Sequence, residues 1–402
     1  MTPKHIIYPL NYLSGFAPGN ADAAEVVFLE SAKRRLGMPE GGIPVGRARS
    51  GIYLLVKTLI RPKARKVLLS PYTIPEVLNM VLFAGGEPVF VDHEPRSTSM
   101  DVTKVQKAID EQTAVIMVTH HHTNQTRFAE LRAMCQRHNV ALIEDCAISL
   151  GGTIDGYSVG TQSDGGIFSL SSYKFLNYFW GGLLVCRDAN VRQQINSEVS
   201  SWPRFEQGEY RSQMFRTAKY DLATQPLVFD FLTAPLLRRK QRRTAQAQVN
   251  QQVRLESVEL DASLLKRPAA AAFQAWSSKI EDVNRHLHHR RTIAAIYRQL
   301  LDEFLVSRTT DSDALDGSCW VNFPIWTGRQ NRNRIYRELI LSKLDVGLSL
   351  YPNVQEHEKF TQIPGESGNV AEMTNSVISL PTHPRVTRKY ADKLARKVRS
   401  LL

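Results

Sequence analysis

With 402 residues, 43% of them hydrophobic and 22% charged, the chain has the balance of an ordinary soluble globular protein and the length for two domains. No run of about eighteen uncharged apolar residues occurs, and Met1-Thr2-Pro3-Lys4-His5 lacks an apolar signal core, so a spanning helix and a secretory leader are excluded and a cytoplasmic protein is expected. The formal net charge of +12 points to anionic partners, yet no helix-turn-helix, zinc-finger or RNA-recognition pattern occurs and no basic run is interleaved with aromatics, which argues against nucleic acid.

The first predicted element is a helix over residues 21–37, with Val26, Val27, Leu29 and Leu36 on its apolar side and Lys33, Arg34 and Arg35 in the last turn, where cations are favoured. Gly46 to Leu55 then read as a polar turn opening a helix, a start whose unpaired N–H groups suit a phosphate. Plain N-capping by Ser50 is the other reading of this turn. From there, short apolar runs alternate with helical or turn-rich stretches: Val67 to Ser70, Pro88 to Asp92, Ala114 to Val118, Val140 to Ile143, Ile167 to Leu170 and Leu183 to Cys186. This alternation predicts an α/β fold with a mainly parallel central sheet covered on both faces. Asp101 is the expected N-cap of a helix reaching Ile109, and Pro71-Tyr72-Thr73-Ile74 falls just beyond a strand end.

His120-His121-His122 attracts attention as a metal site, but adjacent residues on an extended strand end point to opposite faces and cannot converge on one ion. No metal is expected, and the histidines read as a polar rim. The four cysteines, Cys135, Cys146, Cys186 and Cys319, are scattered and predict buried free thiols. The strand–helix alternation fails between about 190 and 245. There Pro226 to Leu237 is an apolar segment abutting the basic run Arg238 to Arg243, a core helix with a solvated basic end or a segment lying weakly on an anionic membrane. A second domain of α+β type is expected over 246–402, after a large domain over 1–245. It holds a long helix from Arg267 to Leu301 with a basic cluster at Arg285, Arg290 and Arg291, a strand from Trp320 to Ile325 and a helix from Arg332 to Leu344.

The chemistry gathers in the middle of the chain. Ile143-Glu144-Asp145 ends one apolar run, and Ser169-Leu170-Ser171-Ser172-Tyr173-Lys174 ends another. Ligands of open α/β sheets lie beyond the carboxyl ends of the strands, so Asp145 and Lys174 should converge on one crevice. A lysine to attach an aldehyde and a carboxylate to keep a pyridine nitrogen protonated suit pyridoxal phosphate. A surface lysine and a helix-capping aspartate is the plainer reading of the pair alone.

Asp145-Cys146-Ala147, Gly151 to Gly160, Asp164 to Ser169, Lys174 and Gly181-Gly182, in that order and spacing, resemble the central block of the DegT/StrS family of pyridoxal-phosphate-dependent aminotransferases of fold type I. Weaker similarity runs along most of the chain, including Arg290, Arg291, Ala294, Tyr297 and the closing Leu380-Pro381. The resemblance implies Lys174 and Asp145 as catalytic residues. It implies a cofactor site made of these two with Ser169, Ser50, Gly51, Ile52, Ile74 and Ile148. It also implies a homodimer with the cleft at the interface.

Several positions depart from the family pattern. Ile52 replaces the second hydroxyl of Ser/Thr-Gly-Thr, Ile74 the aromatic that stacks on the ring and Ile148 the Gln or His at the ring's phenolic oxygen. Leu265 replaces an Asn lent to the partner's phosphate, and Phe179-Trp180 replaces Gly-Glu. Lysine rather than histidine at 174 implies transamination, with glutamate as donor and a nucleotide-linked keto-sugar as acceptor. The alternatives are a partly apolar ketone, favoured by the apolar replacements, and a catalytically idle member acting at a membrane.

Overall fold

The computed structural model describes residues 20–38, 42–171, 174–176, 178–206, 208–213, 215, 218, 228, 262–307 and 317–402. The expected domain boundary at 245/246 lies outside these residues, as does the apolar and basic segment from Pro226 to Arg243 apart from the isolated Val228. No helix among the described residues is long and apolar enough to cross a membrane.

The apolar runs become one seven-stranded sheet of order β1-β9-β8-β5-β4-β2-β3. Its strands are β1 (Ile43–Val45), β2 (Lys66–Leu69), β3 (Glu87–Phe90), β4 (Thr113–Thr119), β5 (Ala141–Asp145), β8 (Gly165–Ser169) and β9 (Gly182–Cys186). β3, β2, β4, β5 and β8 are mutually parallel, whereas β9 runs antiparallel to both β8 and β1. The fold class is therefore the expected α/β with a mainly parallel sheet. A two-stranded hairpin, β6 (Thr153–Ile154) with β7 (Tyr157–Ser158), lies outside it. β4, β5, β8 and β9 are almost wholly buried, as near-continuous hydrophobic strands covered on both faces must be.

The helices of this part are α1 (Ala21–Leu36), α2 (Ala48–Leu59), α3 (Pro75–Phe83), α4 (Val102–Ala108), α5 (Phe128–His138) and α6 (Ala189–Ser200). Asp101 caps α4 as expected, accepting from the N–H groups of Thr103 and Lys104. In α1 the buried side is Phe28, Ala32 and Leu36, while Val26 and Val27 are 61% and 59% exposed. The expected face is thus corrected: Phe28 packs against Phe273 and Trp276, and one aromatic anchor with its i+4 and i+8 neighbours buries more area than a pair of valines.

The long helix expected from Arg267 is two helices, α7 (Ala270–Ile280) and α8 (Val283–Leu301). Ile280, Val283 and Leu287 stay buried across the break, so the apolar stripe continues and no proline or glycine marks the turn. The basic cluster on it is also dispersed. Arg285 pairs with Asp282 at the surface, whereas Arg290 is 2% exposed and donates to the Val321 carbonyl and the Thr382 hydroxyl at 2.8 and 3.0 Å. α8, α9 (Arg329–Leu341) and α11 (Arg388–Arg399) enclose a separate apolar core with the antiparallel pair β10 (Asn322–Trp326) and β11 (Val377–Pro381), and α10 (Gly368–Ser376) leads into β11.

Gly166, in β8, shows how tightly the sheet is covered. A Cβ there would lie 2.1 Å from the Gly160 carbonyl oxygen and 2.6 Å from its Cα, backbone atoms that cannot turn aside. Gly166→Ala should cost about 2–3 kcal/mol or more by overpacking, seen as a lowered midpoint in denaturant unfolding.

Candidate active site

β5 and β8 are neighbours in the parallel part of the sheet, with Asp145 opposite Ile167. Side chains alternate along a strand, so Glu144 and Asp145 leave β5 on opposite faces. Glu144 is fully buried and accepts from His120 Nε2 at 2.9 Å, from the Gly160 N–H at 2.8 Å and from the Ser163 hydroxyl at 2.7 Å. Burial pushes its pKa up, but these donors outweigh burial and hold the carboxyl below its ordinary range. His120 Nδ1 accepts from the Gln125 N–H at 3.1 Å, which leaves the proton on Nε2 to be donated to Glu144.

His120, Glu144 and Cys146 offer ligand atoms within 4.8 Å of one another, a grouping that could hold a metal. The carboxylate, however, already takes up three donors, and burial holds the Cys146 thiol well above its usual pKa. The grouping fits a hydrogen-bonded support under the strand end better than an ion site. The expected polar rim of histidines is corrected as well: His120, His121 and His122 are all buried, and His121 packs between Tyr72 and Tyr351 with ring centroids 4.8 and 5.4 Å away.

On the other face of β5, Asp145 opens into a cavity of about 290 Å³ that Lys174, Ser169 and Ser171 also line. Ser169 ends β8, and the chain after it is tied by Leu170 N–H to Gly181 O and by Lys174 N–H to Ser171 O, with Lys174 on the cavity lining. Burial lowers the Lys174 pKa to about 8, against the pull of the Asp145 charge. Burial raises that of Asp145, against the Ala147 N–H at 2.9 Å, Lys174 and His120. Each group is thus pushed towards its neutral form and checked by the other, and a lysine that loses its proton near pH 8 rather than 10.5 has a neutral fraction that serves as nucleophile and base.

The remaining wall comes from five places. Ile74 and Val77 enter from the start of α3, Thr119 from the end of β4, Trp180 and Gly181 from the turn before β9, and Tyr351 from the C-terminal part. Ile52 lines the cavity from α2 together with Arg47, Ala48 and Arg49. Ser50 and Gly51 are placed elsewhere. The Ser50 hydroxyl is buried and donates to the Leu264 carbonyl at 2.5 Å, and Gly51 packs on Leu184 and Ile167 of the sheet. Ile148 is buried, and its neighbour Ala147 faces the cavity. Phe179 sits in the core against Tyr178 and Tyr210, whereas Trp180 reaches the wall. The stretches holding Arg47, Arg49 and Thr73 are expected near the crevice from the sequence, but their side chains are not singled out by it, and Thr119, at the end of β4, and Tyr351, from a distant part of the chain, are not expected there.

This donor set fits pyridoxal phosphate. The lysine and the aspartate share one cavity. The start of α2 also borders it, and the N-cap residue Arg47 makes no side-chain capping bond to the first-turn N–H groups. Ser169 and Ser171 hydroxyls lie 3.1 Å apart beside it. An anionic group is favoured at such a helix start.

The model of the DegT/DnrJ/EryC1/StrS aminotransferase family matches residues 31–218 and 269–399. The chain is 29% identical over 190 residues, 46% of its length and 50% of the relative's, to UDP-N-acetyl-3-dehydro-alpha-D-glucosamine 3-aminotransferase of Acidithiobacillus ferrooxidans. It is 35% identical over 115 residues, 29% of its length and 27% of the relative's, to L-glutamine:2-deoxy-scyllo-inosose aminotransferase of Streptomyces lividus. The match thus spans about a quarter to a half of these curated relatives. The structure superposes on the sugar aminotransferase CalS13 of Micromonospora echinospora with a TM-score of 0.75 and 16% identity, covering 100% of both chains.

The lowered pKa of Lys174 predicts a pH signature in the cofactor-free protein. Between about 8, its folded value, and 10.5, its ordinary one, the unfolded chain binds the extra proton, so stability from this group rises with pH and is lost as pH falls through 8. Lys174→Met should therefore stabilise the cofactor-free protein at pH 7 by on the order of 2–3 kcal/mol, with the difference vanishing above pH 10.5. Paired denaturant titrations across that range measure it.

Proposed function

The chain belongs to the DegT/DnrJ/EryC1/StrS aminotransferase family, and from that membership we propose that it is a pyridoxal-phosphate-dependent aminotransferase acting on the ketone of a sugar or related polyol. The observation that carries the proposal is the single cavity shared by half-buried Lys174 and buried Asp145, at and just beyond the ends of adjacent strands. When bound, pyridoxal phosphate supplies an aldehyde that bonds amines and a pyridine ring that accepts electron density from the carbon bearing the amine.

The chain's own residues do the rest. Lys174 anchors the cofactor covalently through its amine, which is partly neutral near pH 8. When not bonded to the cofactor, the same amine would be the base that takes the proton from the donor's amine-bearing carbon and gives it back at the far end of the transfer. Asp145, held by the Ala147 N–H, keeps the ring nitrogen protonated. Ser169 holds the phosphate beside the start of α2. Ile74 and Val77 cover the ring and exclude water. The donor is an amino acid: glutamate is what the family resemblance implies, and the relative from Streptomyces lividus is named for L-glutamine. The acceptor is read from the relatives, whose names specify an oxidised amino sugar on UDP and an inosose. A homodimer with the cleft at its interface is part of the proposal.

Borohydride treatment of the cofactor-loaded protein, followed by peptide mass spectrometry, should place the reduced label on Lys174, and Lys174→Ala should carry none. Label on another lysine would falsify the assignment. Asp145→Asn should still bind the cofactor yet slow the donor half-reaction by about a thousandfold, followed in single turnovers. An unchanged rate would mean that a different acid faces the ring. A panel of nucleotide-linked keto-sugars, inososes and alkyl ketones tests the acceptor, and turnover confined to the alkyl ketones would overturn the polyol reading.

A further inference from the structure

The family's phosphate grip is depleted in this chain. Ile52 has no hydroxyl, Leu265 has no amide to lend and is packed against the sheet core, and the Ser50 hydroxyl is spent on the Leu264 carbonyl at 2.5 Å. At the same helix start, however, two cationic residues line the cavity, Arg47 and Arg49. With Lys174 they make three cations around a cavity whose lining holds one carboxylate, Asp145.

Arg47 is held in place. Its guanidinium lies 5.0 Å from the centroid of the Trp180 ring, and Trp180 is stacked on Phe205 at 4.9 Å. The neighbouring Gly46 N–H donates to the Lys266 carbonyl at 2.8 Å, and a Cβ on Gly46 would lie 2.4 Å from that oxygen, so the backbone leading into α2 cannot drift. Lys266, which also lies over Phe205, is neutralised by Glu209 at 2.8 Å. Trp180 occupies the position where the family has an acid, and its aromatic face lies against the guanidinium. Planar guanidinium groups bind phosphate through paired, charge-assisted hydrogen bonds.

We propose that Arg47 and Arg49 bind the phosphate together with Ser169, taking over from the missing hydroxyl and the missing cross-subunit amide, with Trp180 as the residue that positions Arg47. The proposal rests on the reading of the cavity as a pyridoxal phosphate site. It separates this chain from relatives by mechanism of cofactor retention: the grip is ionic and should weaken with salt.

The test compares cofactor-free wild type, Arg47→Gln, Arg49→Gln and the double variant by absorbance titration with pyridoxal phosphate and, separately, with pyridoxal, which lacks the phosphate. Each substitution should raise the Kd for pyridoxal phosphate about tenfold or more, leave the Kd for pyridoxal unchanged, and flatten the dependence of Kd on salt. Inorganic phosphate should raise the melting temperature of the wild type and not of the double variant. Arg47→Lys and Arg49→Lys, which keep the charge and the fold, should lie between. Equal weakening of both ligands, or unchanged affinity for pyridoxal phosphate, would overturn the assignment. So would a variant whose only change is a higher KM for donor or acceptor, since the arginine would then serve the substrate. If the wild type itself takes up no cofactor and Lys174 is not labelled, it is the proposed function that fails.

Discussion

The structure depends on how the end of β5 disposes of two adjacent acids in a water-poor interior. A lone buried carboxylate is costly, and a half-satisfied one is costlier than none. Glu144 escapes this by collecting three donors from His120, Gly160 and Ser163, which belong to the loop after β4 and the turns before β8. Those bonds fix the strand end and its neighbours. Asp145, one residue on and facing the other way, accepts a backbone bond from the Ala147 N–H and turns its remaining capacity to the cavity. One acid is made structural so that the other is held rigidly and left available to a ligand.

The C-terminal part completes this arrangement from outside. Arg290 is buried by the carbonyl of Val321 and the hydroxyl of Thr382, and its guanidinium also lies 5.0 Å from the centre of the Phe175 ring. Phe175 follows Lys174 directly, so a cation on α8 buttresses the turn that carries the lysine. Tyr297, two turns further along α8, donates to the Pro381 carbonyl at 2.8 Å and ties the same helix to the end of β11. The Arg290 and Tyr297 resemblance to the family is thus a packing device that joins the lysine turn to the C-terminal core. Truncating Arg290 takes a donor from the Val321 carbonyl and the Thr382 hydroxyl and the support from Phe175 at once, so its effect on stability and on cofactor attachment cannot be separated by a single substitution.

Much of this was legible in the residues. The apolar runs gave the strands to within a residue or two because buried parallel strands need continuous hydrophobic sequence. They missed β1, whose three residues are too few to show a period, and the hairpin of β6 and β7, whose residues are partly exposed. Asp145 and Lys174 were legible because strand ends locate a crevice, a rule of topology that needs no side-chain detail. What stayed hidden depended on side-chain direction. The face of α1 was set by Phe28 reaching Trp276 across the chain, the histidines turned inward because Glu144 awaited one and Tyr72 and Tyr351 packed another, and Ser50 turned towards Leu264. None of these contacts lies within a dozen residues of its partner, and local periodicity carries no information about them.

The apolar replacements noted in the sequence take on different meanings once placed. Ile74 lines the cavity and can bear on bound ligand, whereas Ile148 and Phe179 are committed to the core. Trp180 does reach the wall, but its face carries the Arg47 guanidinium, which makes this edge cationic as well as aromatic. Burial of a purely alkyl ketone gains roughly 25 cal/mol per Å² of area removed from water, and that gain shrinks where the wall is arginine rather than hydrocarbon. A hydroxyl-bearing or phosphate-bearing acceptor finds its donors in the same guanidinium groups, with Thr73 and Thr119 also on the lining. The cluster of apolar substitutions therefore argues less for an apolar acceptor than their number in the sequence implies, because half of them never meet it.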